Sequence, residues 1–254
     1  MTRLQPRLPH GYRLVFQDSI GSTNEEAKRL ARDGAPEGTL IWALEQTAGR
    51  GRRGRVWVSP RGNLYASLIL RPDCPVSRAA QLGFVAALAV GGALRTILPR
   101  VDRLAYKWPN DVLINGCKIA GVLLESEVAA AGRPSFLIIG VGVNLTASPR
   151  GTEFPATSVA EEGLGFIPPE IMLEEFAHHF QALEAQWRAE GFAPIRAAWL
   201  AATLTSCGEP IRVRLESTTL QGRFLDLDES GALLLDDAGE HRYISAGEVF
   251  PADR

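Results

Sequence analysis

The chain holds only three cysteines in 254 residues, Cys74, Cys117 and Cys207. An odd, widely scattered set fits neither a disulfide framework nor a zinc site. Reduced thiols in a cytoplasmic protein are the expectation. A long uninterrupted hydrophobic run is also missing. The most apolar stretch, Leu82 to Leu98, is interrupted by Gly91-Gly92 and Arg95. It is too short and too broken for a bilayer span and suits a buried helix. Met1-Thr2-Arg3-Leu4-Gln5-Pro6 contains no apolar core, so no leader peptide is expected. Net charge is nearly absent: 27 Lys and Arg against 29 Asp and Glu leave −2. No global field draws the chain to nucleic acid or an acidic membrane, so any positive site must be local. Internal repeats and low-complexity tracts are lacking too.

What is present is enough apolar residue, 46%, for a packed core. Residues 12–20 read as an opening strand. Ser22-Thr23-Asn24-Glu25 has the form of a capping box, a hydroxyl at the N-cap and a carboxylate three residues on. The helix it opens should bury Ala27, Leu30 and Ala31 and stop near Gly34. Thr39 to Glu45 and Leu64 to Leu70 read as strands, and 77–98 as one long apolar helix. Leu104 to Trp108, Val112 to Ile114 and Lys118 to Glu125 read as strands. The last two turn at Asn115-Gly116, the strongest short hairpin signal. Phe136 to Asn144 is hydrophobic on both faces and should be central. Residues 146–168, rich in Gly, Pro, Thr and Ser, read as a long surface connection. Helices are expected at 169–190, opened by Pro168-Pro169, and roughly 193–202. From about 208 the pattern is purely β: 211–215, 222–227, 232–235 and 242–244 suggest a small closed barrel. The expected architecture is α+β, residues 1–205 forming the main domain and 206–254 a β module.

Three clusters carry chemistry. In Gly49-Arg50-Gly51-Arg52-Arg53-Gly54-Arg55, four guanidinium forks suit phosphate and carboxylate oxygens. The glycines let backbone approach a ligand. Charge repulsion and glycine entropy should make the empty loop costly to order, and an anionic ligand would offset that cost. Alone, such a run is more commonly a solvated basic loop or a nucleic-acid patch. Gln46 before it and Trp57 after it narrow the choice. The second cluster, Lys107-Trp108-Pro109-Asn110-Asp111, gathers an ammonium, an amide and a carboxylate at one strand end, with Pro109 marking an edge or bend. Lys118 lies just beyond, beside an apolar run. The third, Gly140-Val141-Gly142-Val143-Asn144, puts glycines in a buried strand. They mark either close approach of a ligand or tight packing on the long helix.

Together with Ser22-Thr23-Asn24 and Lys118-Ile119-Ala120-Gly121, these segments resemble the biotin protein ligases in order and spacing, from about residue 12 to the C-terminus. The Arg/Gly loop followed by Lys-Trp-Pro-Asn-Asp is highly specific; lipoate ligases share the fold but not the loop. The resemblance implies a mixed β-sheet flanked by helices, similar to class II aminoacyl-tRNA synthetase cores, followed by a small SH3-like β-barrel. It implies ATP-dependent activation of biotin to biotinyl-5′-AMP, then transfer to a lysine of a biotin carboxyl carrier protein. Biotin would meet Ser22, Thr23, Asn24, Gln46, Arg50, Gly51, Arg52 and Lys118. ATP would meet Arg52, Arg55, Trp57, Asn110, Lys118 and Asn144. Lys118 and Arg52 would carry the chemistry. Arg53 matches the loop without a firm role. Mg²⁺ would arrive on the phosphates, with Asp111 as a candidate contact. The catalytic pattern begins too early for a helix-turn-helix domain, so no DNA-binding repressor role is expected. Asp226 departs from a glycine frequent in relatives' barrels. A homodimer is a further expectation. The alternatives are a ligase for lipoate or another small acid, a non-catalytic biotin or nucleotide sensor, and a nucleic-acid binder using the arginines.

Overall fold

The computed structural model describes residues 5–98, 101, 103–128 and 132–252; Met1 to Leu4, where the search for a leader peptide begins, lie outside them. Among the described residues twelve strands form two sheets. Strands β1 (Arg13–Ile20), β2 (Thr39–Gln46), β3 (Leu64–Leu70), β4 (Leu104–Lys107), β5 (Asp111–Ile114), β6 (Cys117–Val128) and β7 (Pro134–Val143) make the first. Its order is β1-β2-β3-β7-β6-β5-β4. Only β1 and β2 run parallel, so the sheet is mixed, and β7 is its central strand as its two-sided hydrophobicity predicted.

The two faces separate by the period-two alternation of strands. One face presents Leu68, Ile139, Val141 and Val143 to α3 (Leu82–Ile97), backed by α4 (Pro169–Glu190) and α5 (Ala193–Leu200). Helix α3 is apolar all round because it is enclosed. It is, with the short helix before it, the only segment among the described residues long and apolar enough to cross a membrane, and it is mostly buried. The other face presents Ile41, Ile69 and Ile138 to α1 (Thr23–Arg32). Further along that face Ser67 pairs with Gly140, and Gly142, two residues on, pairs with Tyr65. They floor the cleft described below.

The expected helix over 77–98 is divided into α2 (Val76–Ala79) and α3. Gln81 lies at the break, accepting from Trp187 Nε1 at 2.7 Å and donating to the Glu229 carbonyl at 2.8 Å. Ser22 occupies the N-cap of α1, but its hydroxyl makes no capping bond. It borders a cavity instead. The Asn115-Gly116 turn has positive φ at both residues, 51° and 76°, as a type I′ hairpin requires.

Strands β8 (Pro210–Arg214), β9 (Thr219–Leu227), β10 (Leu233–Asp237), β11 (Glu240–Ile244) and β12 (Glu248–Pro251) form the second sheet, order β11-β10-β9-β8-β12, all antiparallel. β12 was not anticipated. Among the described residues no ladder joins β11 to β12, so the expected closed barrel is open at that seam. The module is tied to the larger sheet. Trp108 Nε1 donates to the Gly231 carbonyl at 3.0 Å, Arg196 Nε donates to the Leu227 carbonyl at 2.6 Å, and one hydrophobic cluster runs through both parts. Asp226, the departure noted above, pairs with Arg196 across this junction.

The connection 146–168 is not merely a surface strap. Buried Asn63 accepts N–H bonds from Leu145, Thr146 and Ala147. Thr157 N–H donates to the Lys118 carbonyl, and Lys118 N–H to the Pro155 carbonyl, at 2.9 and 2.7 Å. These bonds pin the segment along β6 as a wall of the cleft.

Candidate functional site

Two adjoining cavities open between α1, β6, β7, the Arg/Gly loop and β12. The smaller, about 40 Å³, is bordered by Ser22, Thr23, Asn24, Gln46, Arg50, Gly51, Trp57, Gly140 and Gly142, with parts of β6 and β7. The larger, about 450 Å³, is bordered by Arg52, Arg55, Asn110, Asp111, Lys118 and Asn144 among others. Gly51 and Trp57 border both.

A directional hydrogen-bond chain builds the small cavity. Gln46 Oε1 accepts from Thr23 N–H at 2.8 Å and lies 3.0 Å from its hydroxyl. Gln46 Nε2 donates to Ser59 Oγ at 3.0 Å, and Ser59 donates to the Trp57 carbonyl at 2.8 Å. Ser67, fully buried, lies 2.6 Å from Asn24 Oδ1 and 2.8 Å from Thr23 Oγ1. A carboxamide oxygen only accepts, so the one hydroxyl proton goes to Asn24. Asn24 Nδ2 donates to Glu125 at 2.7 Å. Lys28 bridges Glu125 and Glu25 at 2.5 and 3.0 Å, and Glu25 holds Arg50 at 3.0 Å. Both ends of the Arg/Gly segment are thus tied to the same network. Ser67, Glu125 and Lys28 were not anticipated. The available signal was a lone serine inside the otherwise apolar β3.

The glycines of β7 face this cleft, not the long helix. A β-carbon at Gly140 would sit 2.2 Å from Asn24 Oδ1, and one at Gly142 2.6 Å from Trp57 Nε1. The Trp57 indole lies on this glycine floor with its buried N–H unpartnered.

The large cavity is organised by charge. Asp111 accepts from Lys107 at 2.8 Å and Lys118 at 2.5 Å. Burial alone would raise its pKa, but the two ammonium groups outweigh that and draw it down to about 2. Two lysines on one carboxylate leave an excess positive charge in a partly desolvated site. Lys107 also lies 4.5 Å from the Phe154 ring and 5.8 Å from that of Phe250, and Lys118 lies 5.2 Å from Trp57. Arg52 is held loosely, by the Gly247 carbonyl at 3.2 Å and Asn110 Oδ1 at 3.4 Å. Burial lowers its pKa, against the opposing pull of Asp111. Asn144 is buried and donates to the Thr157 carbonyl at 3.0 Å.

The expected site residues therefore fall into two groups. Ser22, Thr23, Asn24, Gln46 and Arg50 border the small cavity. Arg52, Arg55, Asn110, Lys118 and Asn144 border the large one, so Arg52 and Lys118 do not reach the polar end. Arg53 borders neither and turns to the Leu215 carbonyl at 3.4 Å. Glu153, Phe154, Glu248 and Phe250 also border the large cavity and were not anticipated. Asp111, the candidate magnesium contact, has one lysine on each carboxylate oxygen, so two ammonium groups flank the position from which a cation would approach it. Among the described residues no group of three His, Cys, Asp or Glu side chains could hold a metal.

A model of the biotin/lipoate A/B protein ligase family matches residues 17–201, and one of the biotin protein ligase C terminal domain matches 206–250. The chain is 45% identical to a biotin--[acetyl-CoA-carboxylase] ligase of Paracoccus denitrificans, covering 90% of this chain and 96% of that one. It is 38% identical to a bifunctional ligase/repressor BirA of Bacillus spizizenii, covering 89% and 70%. The structure is similar to that of a biotin protein ligase from Aquifex aeolicus in complex with biotin and ATP: TM-score 0.78, 28% identity, 93% and 97% covered.

Proposed function

The chain belongs to the biotin protein ligase family, and on that premise we propose how its two cavities divide the family's reaction. It is an ATP-dependent ligase that activates biotin and transfers it to a lysine of a carboxylase's biotin carrier protein. In our reading residues 1–205 form the catalytic unit and 206–254 the SH3-like module. The observation that carries the division is the contrast between a small cavity of hydroxyls and amides, with Arg50 its one charged lining residue, and a large one lined by several cations, Arg52, Arg55, Lys107 and Lys118 among them, the two joined at Gly51 and Trp57.

A cyclic urea presents N–H donors and a carbonyl acceptor. The small cavity offers the Ser22 and Thr23 hydroxyls, the Asn24 amide and the Gln46 amide for that head. The dithiolane of lipoate offers none of these groups a hydrogen bond, and so forgoes the affinity that the cyclic urea gains there. The acid's carboxylate then points past Gly51 and Arg50 towards Lys118 and Arg52. There a carboxylate oxygen attacks the α-phosphorus of ATP, the bond to the β-phosphate bridging oxygen breaks, and pyrophosphate leaves. Two anions must approach, so Lys118 and Arg52 serve by offsetting charge on the phosphoryl oxygens. Little proton movement is needed, and positioning dominates. Asn110 and Asn144 lie on the nucleotide side of the cavity. In the second step the carrier's neutral lysine amine attacks the acyl carbon, AMP departs with the electron pair, and the surplus proton on nitrogen passes to water. Magnesium comes with the nucleotide in this reading, not on a protein carboxylate.

The cytoplasm is the proposed setting. Two of the loop's four arginines are paired with acids of the chain, Arg50 with Glu25 and Arg55 with Glu248, which supports an anion site over a nucleic-acid surface. Among the described residues β1 is an edge strand of the sheet, and we propose a homodimer through that edge; sedimentation tests it. The decisive experiment is pyrophosphate release from ATP with biotin, lipoate or neither. Release that depends on biotin alone is expected. Release with lipoate, or none with biotin, overturns the assignment.

A further inference from the structure

We propose that Glu248 of the C-terminal module is a nucleotide-affinity residue: its carboxylate holds Arg55 in the large cavity, and the phosphate tail of ATP takes Arg55 from it. This rests on the reading of the large cavity as the nucleotide site.

Arg55 grips Glu248 with both guanidinium nitrogens, Nη2 to Oε2 at 2.7 Å and Nη1 to Oε1. That bidentate fork is the geometry an arginine uses on a phosphate. Both residues border the large cavity, alongside Lys107 and Lys118. The carboxylate therefore satisfies, with one negative charge, the same fork that a polyphosphate would satisfy with several.

The exchange strands no charge. Arg214 contacts Glu248 through Nε at 3.1 Å and through Nη2, so the carboxylate keeps a cation when Arg55 leaves. Arg214 is itself anchored to Glu153 by two bonds of 2.8 Å. Without the exchange, Glu248 would face phosphate oxygens as a like charge, which disfavours binding. Two arginines already keep Glu248 ionised: burial raises its pKa, and the bonds from Arg214 and Arg55 more than reverse this. Arg52 is held to Gly247, the residue before that strand, by a neutral carbonyl. The loop is thus latched to the start of β12 by one charged and one neutral contact.

The test is steady-state kinetics of biotin-dependent pyrophosphate release in the full chain, with Glu248→Gln and Glu248→Asp beside the wild type. Removing the competing charge should lower the KM for ATP about fivefold, the effect of a partly exposed ion pair, and leave the KM for biotin unmoved. The shorter aspartate should lower it less. A scaffolding role would instead raise both KM values or depress the melting temperature. An ATP KM that is unchanged or raised in well-folded variants overturns the proposal. Absence of biotin-dependent release in the wild type would instead overturn the ligase reading beneath it.

Discussion

Asn24 Nδ2 donates to Glu125 Oε2 at 2.7 Å while Asn24 Oδ1 faces Ser67 at 2.6 Å, so a carboxylate and a hydroxyl fix which way a buried amide points. The carboxylate sets the donor and acceptor pattern that a ligand meets in the small cavity. Glu125→Gln can present an N–H where Asn24 needs an acceptor, and it releases Lys28. The expected result is a biotin KM raised roughly tenfold, from a lost charge-assisted bond, with the ATP KM unmoved. Isothermal titration with biotin measures the same loss. Equal loss for both substrates would show that Glu125 supports the fold and not the pocket.

Lys118 and Arg52 border the large cavity but differ in their ties. Lys118 is anchored to Asp111 at 2.5 Å, whereas Arg52 has only neutral acceptors at 3.2 and 3.4 Å. Both should matter most when charge builds on phosphorus. Lys118→Ala and Arg52→Ala should each lower the rate of adenylate formation about 100-fold or more, the scale of a lost oxyanion donor. Biotin affinity should change much less, since neither residue borders the small cavity. Single-turnover pyrophosphate release separates the two effects. Near-normal rates would remove these residues from the chemistry.

Asp111 links the site to acid stability. Its pKa is drawn down to about 2 in the folded chain, below the value of roughly 3.9 for a free aspartate. A depressed carboxylate stabilises the fold above its unfolded pKa, and that stability is lost as pH falls through the folded value. The contribution, roughly 2 kcal/mol, should be complete above pH 5 and fade between about pH 4 and pH 2. Asp111→Asn should flatten the melting temperature across that interval and, by stranding two lysines, lower it at neutral pH. A pH profile parallel to the wild type's would show that Asp111 gains nothing from its lysines.

Much of this was legible because period and turn chemistry are local. β7 announced itself as central by being hydrophobic on both faces, and Asn115-Gly116 fixed one hairpin. The Arg/Gly loop and the lysines stood out because charge is rare beside glycine or inside an apolar run. What escaped depends on distant partners. Ser67 gains meaning only because register sets it opposite Gly140, beneath Thr23 and Asn24. Glu248 and Phe250 lie near the C-terminus, in a strand short enough to be missed, and reach the cleft only because β12 pairs with β8. The stretch 146–168 looked like a surface loop because its ordering comes from Asn63 and β6, not from its own periodicity. Ser22 has the pattern of a cap, yet its hydroxyl is left to the cavity.

Trp57 closes the gap between the cavities, and its removal should uncouple the two steps. The small cavity, about 40 Å³, holds little more than a water, far less than a bicyclic acid. The indole rests where Gly121 and Gly142 leave space for it, so biotin entry requires it to lift, and its unpartnered N–H gives little resistance to lifting. Once the adenylate forms, the same ring is in position to cover it and keep water from the mixed anhydride. Trp57→Ala should therefore bind biotin faster but retain the adenylate poorly. In the presence of carrier protein, the wild type should release one pyrophosphate per biotin transferred. The variant should release an excess, as adenylate lost to water is remade. The ratio of pyrophosphate to biotinylated carrier, followed on one sample, decides the matter; a ratio equal to that of the wild type would show that the seal lies elsewhere in the loop.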